Sequence, residues 1–364
     1  MANPTPILDS LRQTNGLFFD EFNNRPQGRY VHFVLVRETE SFPIFQTDGN
    51  LNTIRVRSGL NSVAENAPKT VARLVLFKRK QTSPERLVGR ELLRKHGYIT
   101  DTITATGEET SCIYNPTSRE ERRCGQCADC VIYGYAVGET GAEKSKVYSD
   151  SAFSITPYDE SHRSFRFNAL SENGTMYDPG AERPRTSYGE LDHVVPQVFF
   201  PSLITLRDPT YAGYLYVMGN ILRCDRYGGG ETRTGKVYNH LIAVYFADAE
   251  IFSNLRYTQT IYDWLNGRQL YTAPLDRDAV LEAAASCCAE LIDQEPVAIA
   301  RSLFGTEVRA FRDEVVSLYQ NDAQVSELLR TLHEKTARYY TGVGRGQGRR
   351  ARRSESEPAS ESES

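Results

Sequence analysis

Four cysteines constrain this chain more than any other feature. Cys112 stands alone; after eleven intervening residues begins the run Cys-Gly-Gln-Cys-Ala-Asp-Cys, which carries Cys124, Cys127 and Cys130. Two-residue gaps let successive thiolates fold back onto one soft cation, and tetrahedral zinc is the usual occupant. Arg122 and Arg123 favour the thiolate form, and Gly125 eases the tight turn a knuckle needs. Three other readings compete. A bacterial-ferredoxin cluster would place another cysteine and a proline just downstream, but Val131, Ile132 and Tyr133 follow Cys130. A disulfide framework needs an oxidising compartment, which nothing in the sequence suggests. The cysteines can also be small buried hydrophobes, which suits Cys112 better than the triplet. Cys224, Cys287 and Cys288 read as structural, the last two inside an apolar helical run.

The chain has 364 residues, 40% hydrophobic and 25% charged, enough for one large elaborated domain or two. A net charge of −4 argues against nucleic acid only if charge is spread evenly, and its placement is what matters. The N-terminal Met-Ala-Asn-Pro-Thr-Pro has no basic region with an apolar core, so no signal peptide is expected. No apolar stretch reaches membrane-spanning length. The expected location is cytoplasmic. His32, His96, His162, His193, His240 and His333 are scattered singly, with no H-x-E or H-E-x-x-H pair and no G-x-S-x-G elbow. Asp192-His193 reads as ordinary surface or core, and Asp48 in Thr-Asp-Gly-Asn as a turn. The chain is therefore read as non-enzymatic.

Tyr30–Val36 reads as a strand on β-branched and aromatic content, and Thr70–Lys78 as a second extended segment. Ser83 as N-cap and Pro84 at the first helical position open a helix that ends at Gly97. Ser145–Ile155 alternates like a strand. Residues 157–190 are polar and Gly/Pro-rich, an inserted hairpin or mobile arm. Gln197–Leu206 is a strand whose Pro201 marks an edge or bulge. Asp208-Pro209 opens a helix with Tyr214, Leu215, Met218, Ile221 and Leu222 at helical spacing. Lys236–Phe246 is the next strand. Residues 276–340 read as helical, broken near Pro296 and Gly305, and a low-complexity tail from about Gly342 reads as disordered. The order strand, helix, strand, strand, helix, strand gives an α+β, ferredoxin-like or RRM-like plan.

Three segments carry chemistry. Arg86, Arg90 and Arg94 recur every four residues near a helix start, which suits a phosphate backbone; a solvated face paired with Glu85 and Glu91 is the alternative. Arg226-Tyr-Gly-Gly-Gly-Glu-Thr-Arg-Thr-Gly-Lys236 offers Gly228, Gly229 and Gly230 for close main-chain approach, with Arg233, Thr234 and Lys236 as donors. It lacks a Walker A ending, and a flexible hairpin turn competes with phosphate binding. Lys144 and Lys146 enter the strand after the knuckle, as a basic edge facing nucleic acid or an edge protected by lysine.

These residues carry a resemblance. Pro84–Arg94 resembles the Pro-Gly-Ser-Ser-Leu-Lys-Gly-x-x-Arg helix start of the crRNA-binding backbone subunits of CRISPR–Cas effector complexes, in the RAMP superfamily, although Glu85 and Arg86 replace small residues. Cys127-Ala-Asp-Cys-Val-Ile-Tyr-Gly134 resembles that family's next block. Glu143–Phe153, Leu191–Pro196 and Asn254–Gln259 are similar to the type I-D (Cascade) backbone subunit. The likeness covers most of residues 25–265. It implies an RRM-like palm at 25–265 with insertions at 47–83 (loop or finger), 100–140 (a structural zinc knuckle on Cys112, Cys124, Cys127 and Cys130) and 157–195 (thumb). A helical region, 270–341, and a tail, 342–364, follow by composition. It implies copies stacked head-to-tail on crRNA, which then pairs with target DNA. Further implied partners are a Cas5-like subunit, a large subunit and small subunits. Type III relatives cut the target with an aspartate after the first strand, a place near Asp48; a RAMP-type nuclease, with His240 offered for guide processing, is the rival function.

Overall fold

The computed structural model describes residues 8–14, 16–47, 49–61, 70–99, 112–116, 123–137, 141–168, 174, 177–178, 183–184, 188–228 and 235–354. The strands are β1 (Tyr30–Thr39), β2 (Thr53–Arg57), β3 (Thr70–Leu76), β4 (Tyr135–Val137), β5 (Gly141–Glu143), β6 (Val147–Ser149), β7 (Ala152–Pro157), β8 (His162–Asn168), β9 (Tyr177–Asp178), β10 (Arg183–Pro184), β11 (Tyr188–Val194), β12 (Phe199–Arg207), β13 (Val237–Ala247) and β14 (Ile299–Phe304). The helices are α1 (Lys78–Lys95), the single turn α2 (Tyr158–Ser161), α3 (Tyr211–Arg223), α4 (Asn254–Gly267), α5 (Arg277–Asp293), α6 (Thr306–Gln320) and α7 (Asp322–Ser354). The fold is mixed α and β with antiparallel sheets.

The main sheet has the order β14-β13-β1-β12-β6, and every pair in it is antiparallel. β1 lies at its centre, Phe33 facing Ile204 on one side and Val244 on the other. Nine of its ten residues are buried, because both faces of the sheet are covered. Val31, Phe33 and Leu35 join a core with α3, α6 and α7. Val34 and Val36 join a second core with Tyr257 and Ile261 of α4 and Ala283, Cys287 and Leu291 of α5. That double burial is why the strand reads as a continuous apolar run. A third core lies under the smaller sheet β2-β3-β7 and includes Leu74, Leu76, Ala152 and Tyr227. β8 and β11 pair as a hairpin from His162↔Val194 to Asn168↔Tyr188.

Four expectations are corrected. α1 begins at Lys78, so Pro84 sits inside the helix and not at its start. The buried Gln81 side chain holds the early turns by donating to the Leu76 and Asp150 carbonyls, 3.0 and 2.7 Å away. The expected strand 145–155 divides between two sheets: β6 pairs with β12 and β7 with β3. Residues 276–340 are not helical throughout, since β14 adds to the otherwise open edge of β13 and buries Leu303. α7 runs past Gly342 to Ser354, and the rest of the expected tail lies outside the described residues. Pro201 lies on β12 beyond the three positions that β6 pairs, which are Ile204 to Leu206, so the edge reading holds there. No helix among the described residues is long and apolar enough to cross a membrane.

Candidate metal centre and basic groove

The four cysteines converge. Cys112 Sγ lies 3.8 Å from Cys127 Sγ and 3.5 Å from Cys130 Sγ, and Cys124 Sγ lies 3.9 Å from Cys130 Sγ. All four sulfurs fall within 4.8 Å of one another. A tetrahedron of sulfurs around a cation at about 2.3 Å has edges of about 3.8 Å, so the four can hold one metal ion. The turn that gathers them uses Gly125 at φ +72°, which suits glycine. The Cys127 N–H donates to Cys124 Sγ at 3.3 Å and the Cys130 N–H to Cys127 Sγ at 3.5 Å. Hydrogen bonding among the sulfurs leaves the Cys112 and Cys124 thiols low and those of Cys127 and Cys130 high.

The knuckle is not a peripheral insertion. Cys112, Cys127, Cys130, Val131 and Ile132 belong to the main core with α3. Asp129, wholly buried, accepts from Arg86 and Arg90, each at 2.8 Å, and forms an ion pair with Arg123 at 3.1 Å. Arg90 also donates to Cys112 Sγ at 3.4 Å and to the Cys112 carbonyl. Arg86 donates to the Gly134 carbonyl at 2.9 Å. The Tyr114 ring covers all three guanidiniums, its centroid 5.2 to 5.6 Å from them. Four thiolates and one carboxylate against three guanidiniums leave two negative charges, which one divalent cation cancels.

That arrangement corrects the expected arginine stripe. Arg86 and Arg90 share a face, but it turns inward, and Arg90 has no exposed surface for phosphate. Burial disfavours its charge, yet Asp129 and Cys112 hold its pKa above the ordinary value. Arg94 is exposed. Glu85, expected as a solvated partner, is buried and accepts from Arg37 at 2.8 Å and the Tyr227 hydroxyl at 3.1 Å. Lys146 is buried as well, donating to the Val131 carbonyl at 2.9 Å and Glu143 at 2.8 Å; Lys144 is exposed.

A groove runs along the first turns of α1. Its first cleft, about 520 Å³, is lined by Lys78, Arg79, Lys80, Ser83 and Gly228. A second, about 480 Å³, is lined by Arg79, Thr82, Arg86, Tyr114 and Arg123. A third, about 410 Å³, adds Tyr133 and Tyr148 to Lys78, Arg79 and Arg86. The first turn has no acidic residue, and its N-cap Phe77 offers no side-chain acceptor. The helix start thus presents free N–H groups beside exposed Lys78 and Arg79, a setting that favours anions. The Lys78-Arg79-Lys80 run escaped the sequence reading, which ended an extended segment at Lys78 and left Arg79 and Lys80 unassigned; three consecutive basic residues were the available signal.

Gly228 lines one end of the groove. Gly228 has φ +103°, and a Cβ there would lie 2.3 Å from the Ile44 carbonyl oxygen. Arg226 pairs with Lys236 as an isolated bridge, and Lys236 Nζ lies 2.5 Å from Asp225 Oδ2. Gly229, Gly230, Arg233, Thr234 and Asp48 lie outside the described residues. His240 is held against Glu38 at 2.8 Å, and Arg277 pairs with the same carboxylate at 2.8 Å; burial lowers the His240 pKa.

The family model described as Csc2 Crispr matches residues 17–329. No curated protein matches the chain. Among solved structures it is similar to the crystal structure of Thermofilum pendens Csc2, at 15% identity and a TM-score of 0.45, over 92% of this chain and 94% of that one. It is also similar to a chain of a CRISPR RNA-guided surveillance complex, at 11% identity and a TM-score of 0.43, over 74% and 86% of the two chains.

Proposed function

We propose, for a chain that belongs to the Csc2 CRISPR family, the role of a guide-RNA-binding backbone subunit in a type I-D surveillance complex. The family match across residues 17–329 carries this reading. The groove at the start of α1 supports it with cationic side chains, free N–H groups and hydroxyls, a donor set suited to phosphates and sugars and blind to sequence. The palm is RRM-like: β1, β6, β12 and β13 with α1 and α3 follow the strand–helix–strand–strand–helix–strand order, and the sheet order fits it. Here α4 and α5 cover the sheet face that an RRM offers to stacked bases. Bases left unstacked stay available to pair with target DNA.

Copies would stack head-to-tail along crRNA, a heterologous contact that extends as a helix, with a Cas5-like subunit, a large subunit and small subunits as partners. The metal is zinc and structural: the cysteines supply the four ligands, and bound zinc ties the 112–116 segment to the 124–130 run. The subunit is non-enzymatic, with His240 engaged by Glu38. Electron microscopy of the protein co-expressed with a guide RNA tests the reading. Periodic decoration of the RNA is expected; a monomer that retains no single-stranded RNA in dilute buffer sinks it.

A further inference from the structure

The first cleft of the groove has two walls. Ser83 and Pro84 of α1 stand on one, and Gly228 on the other. Behind the walls their neighbours in the chain meet: the Tyr227 hydroxyl donates to Glu85 Oε1 at 3.1 Å. The same hydroxyl accepts from Arg37 Nη1 at 2.7 Å and from Asn239 Nδ2 at 2.9 Å. One oxygen thus joins α1, β1 and β13. Arg37 also donates to Glu85 Oε1 at 2.8 Å and to Asn239 Oδ1 at 2.6 Å, and its guanidinium lies 4.8 Å from the Tyr227 ring centroid. Asn239 Nδ2 donates to the Ile221 and Cys224 carbonyls at 2.9 and 3.0 Å, which ties in the end of α3.

All four side chains are buried, so none of them grips RNA directly. The network is also a poor way to add stability. Arg37 Nε and Glu85 Oε2 are buried with no hydrogen-bond partner among the described residues. A buried ion pair repays its desolvation only when its remaining polar atoms are satisfied, and an apolar cluster of the same volume would stabilise the fold as well. What an apolar cluster lacks is direction, because hydrogen bonds fix both a distance and an angle. The wall at Gly228 has no slack of its own: its φ is +103°, and a Cβ there would lie 2.3 Å from the Ile44 carbonyl oxygen.

We propose that Tyr227 is a positioning residue for RNA. Its hydroxyl sets the separation of Gly228 from the first turns of α1, so that one phosphate meets both walls of the cleft together. This rests on the proposed function and adds to it a residue that touches no RNA.

Tyr227→Phe removes the hydroxyl and keeps the ring. Binding to fluorescent single-stranded RNA is titrated over a range of salt, well below the melting temperature of each variant. Tyr227→Phe should bind about fivefold more weakly, the worth of one hydrogen bond. Its log–log salt slope should fall by about 0.7, one phosphate contact on a single strand. Val280→Ala, in the core that α4 and α5 form over the main sheet, is the control for stability; it should melt lower and bind RNA with native affinity and slope. Glu85→Gln keeps an acceptor for the hydroxyl and should retain the native slope, whereas Glu85→Leu has none and should lose it. That pair decides the matter where Tyr227→Phe does not fold. A native slope in Tyr227→Phe or Glu85→Leu overturns the inference, as does a slope in Val280→Ala that falls with its melting temperature. Reversal of Lys78, Arg79 and Lys80 to Glu reports on the groove itself. Weaker binding there, with Tyr227→Phe unchanged, sinks the positioning role and leaves the groove standing; RNA binding untouched by the reversal sinks the groove and the positioning role with it.

Discussion

Asp129 is the residue on which the centre turns. Its carboxylate is buried and faces Arg86, Arg90 and Arg123. Removing one partner of a buried ion pair leaves the other charge uncompensated, at a cost of about 3–5 kcal/mol. Asp129→Asn should therefore lower unfolding stability by that order in urea titrations; an unchanged midpoint would show that the arginines find other partners. His32 gives a second residue-scale prediction. It bridges Thr205 Oγ1 at 2.8 Å and the Ala249 carbonyl at 3.0 Å, and burial lowers its pKa from 6.5 to about 4. The unfolded chain then binds the proton that the folded chain refuses. Stability from this group is fully present above pH 6.5 and falls as pH drops through the window from 6.5 to 4. His32→Gln should flatten the difference in stability between pH 7 and pH 4.5. The cysteine spacing was legible because its ligands are close in sequence. Arg90 and Glu85 were not, because each is buried by a partner far along the chain, Asp129 and Arg37 respectively.

At the scale of elements, α1 packs on α3 through Gly89. A Cβ there would lie 2.4 Å from Asn220 Nδ2 and 2.5 Å from the Tyr216 hydroxyl, both buried on α3. Overpacking of this kind costs about 1–3 kcal/mol, so Gly89→Ala should lower the melting temperature; a neutral result would mean the two helices slide apart freely. The main strands and α3 were readable because long apolar runs survive burial on both faces. β14 was not: Ile-Ala-Arg-Ser-Leu-Phe lies between two helices, and only the open edge of β13 makes it a strand. The division of β6 from β7 was equally invisible, since side-chain alternation continues across Asp150 and Ser151 while the pairing partner changes. Pro84 misled because proline favours a helix start, and the tertiary hydrogen bonds of Gln81 that extend α1 backwards leave no local mark.

For the whole molecule, the helices on both faces of the main sheet leave the α1 groove as the cationic route across the described surface, and the knuckle forms its wall. Arg86 belongs to both: it lines the groove and it is fixed by Asp129 and the Gly134 carbonyl. Metal content and RNA affinity should therefore change together. Purified protein should carry about one zinc per chain, as four thiolate ligands imply. Chelation should lower the melting temperature, because Cys112, Cys127 and Cys130 sit in the main core, and should weaken RNA binding similarly across unrelated sequences. Cys130→Ser should reproduce both effects. Reversal of Lys78, Arg79 and Lys80 to Glu should weaken RNA binding with the zinc content and melting temperature retained, which separates the phosphate track from the scaffold beneath it. Iron in place of zinc would overturn the metal assignment, and chelated protein that melts lower yet binds RNA unchanged would cut the link from knuckle to groove.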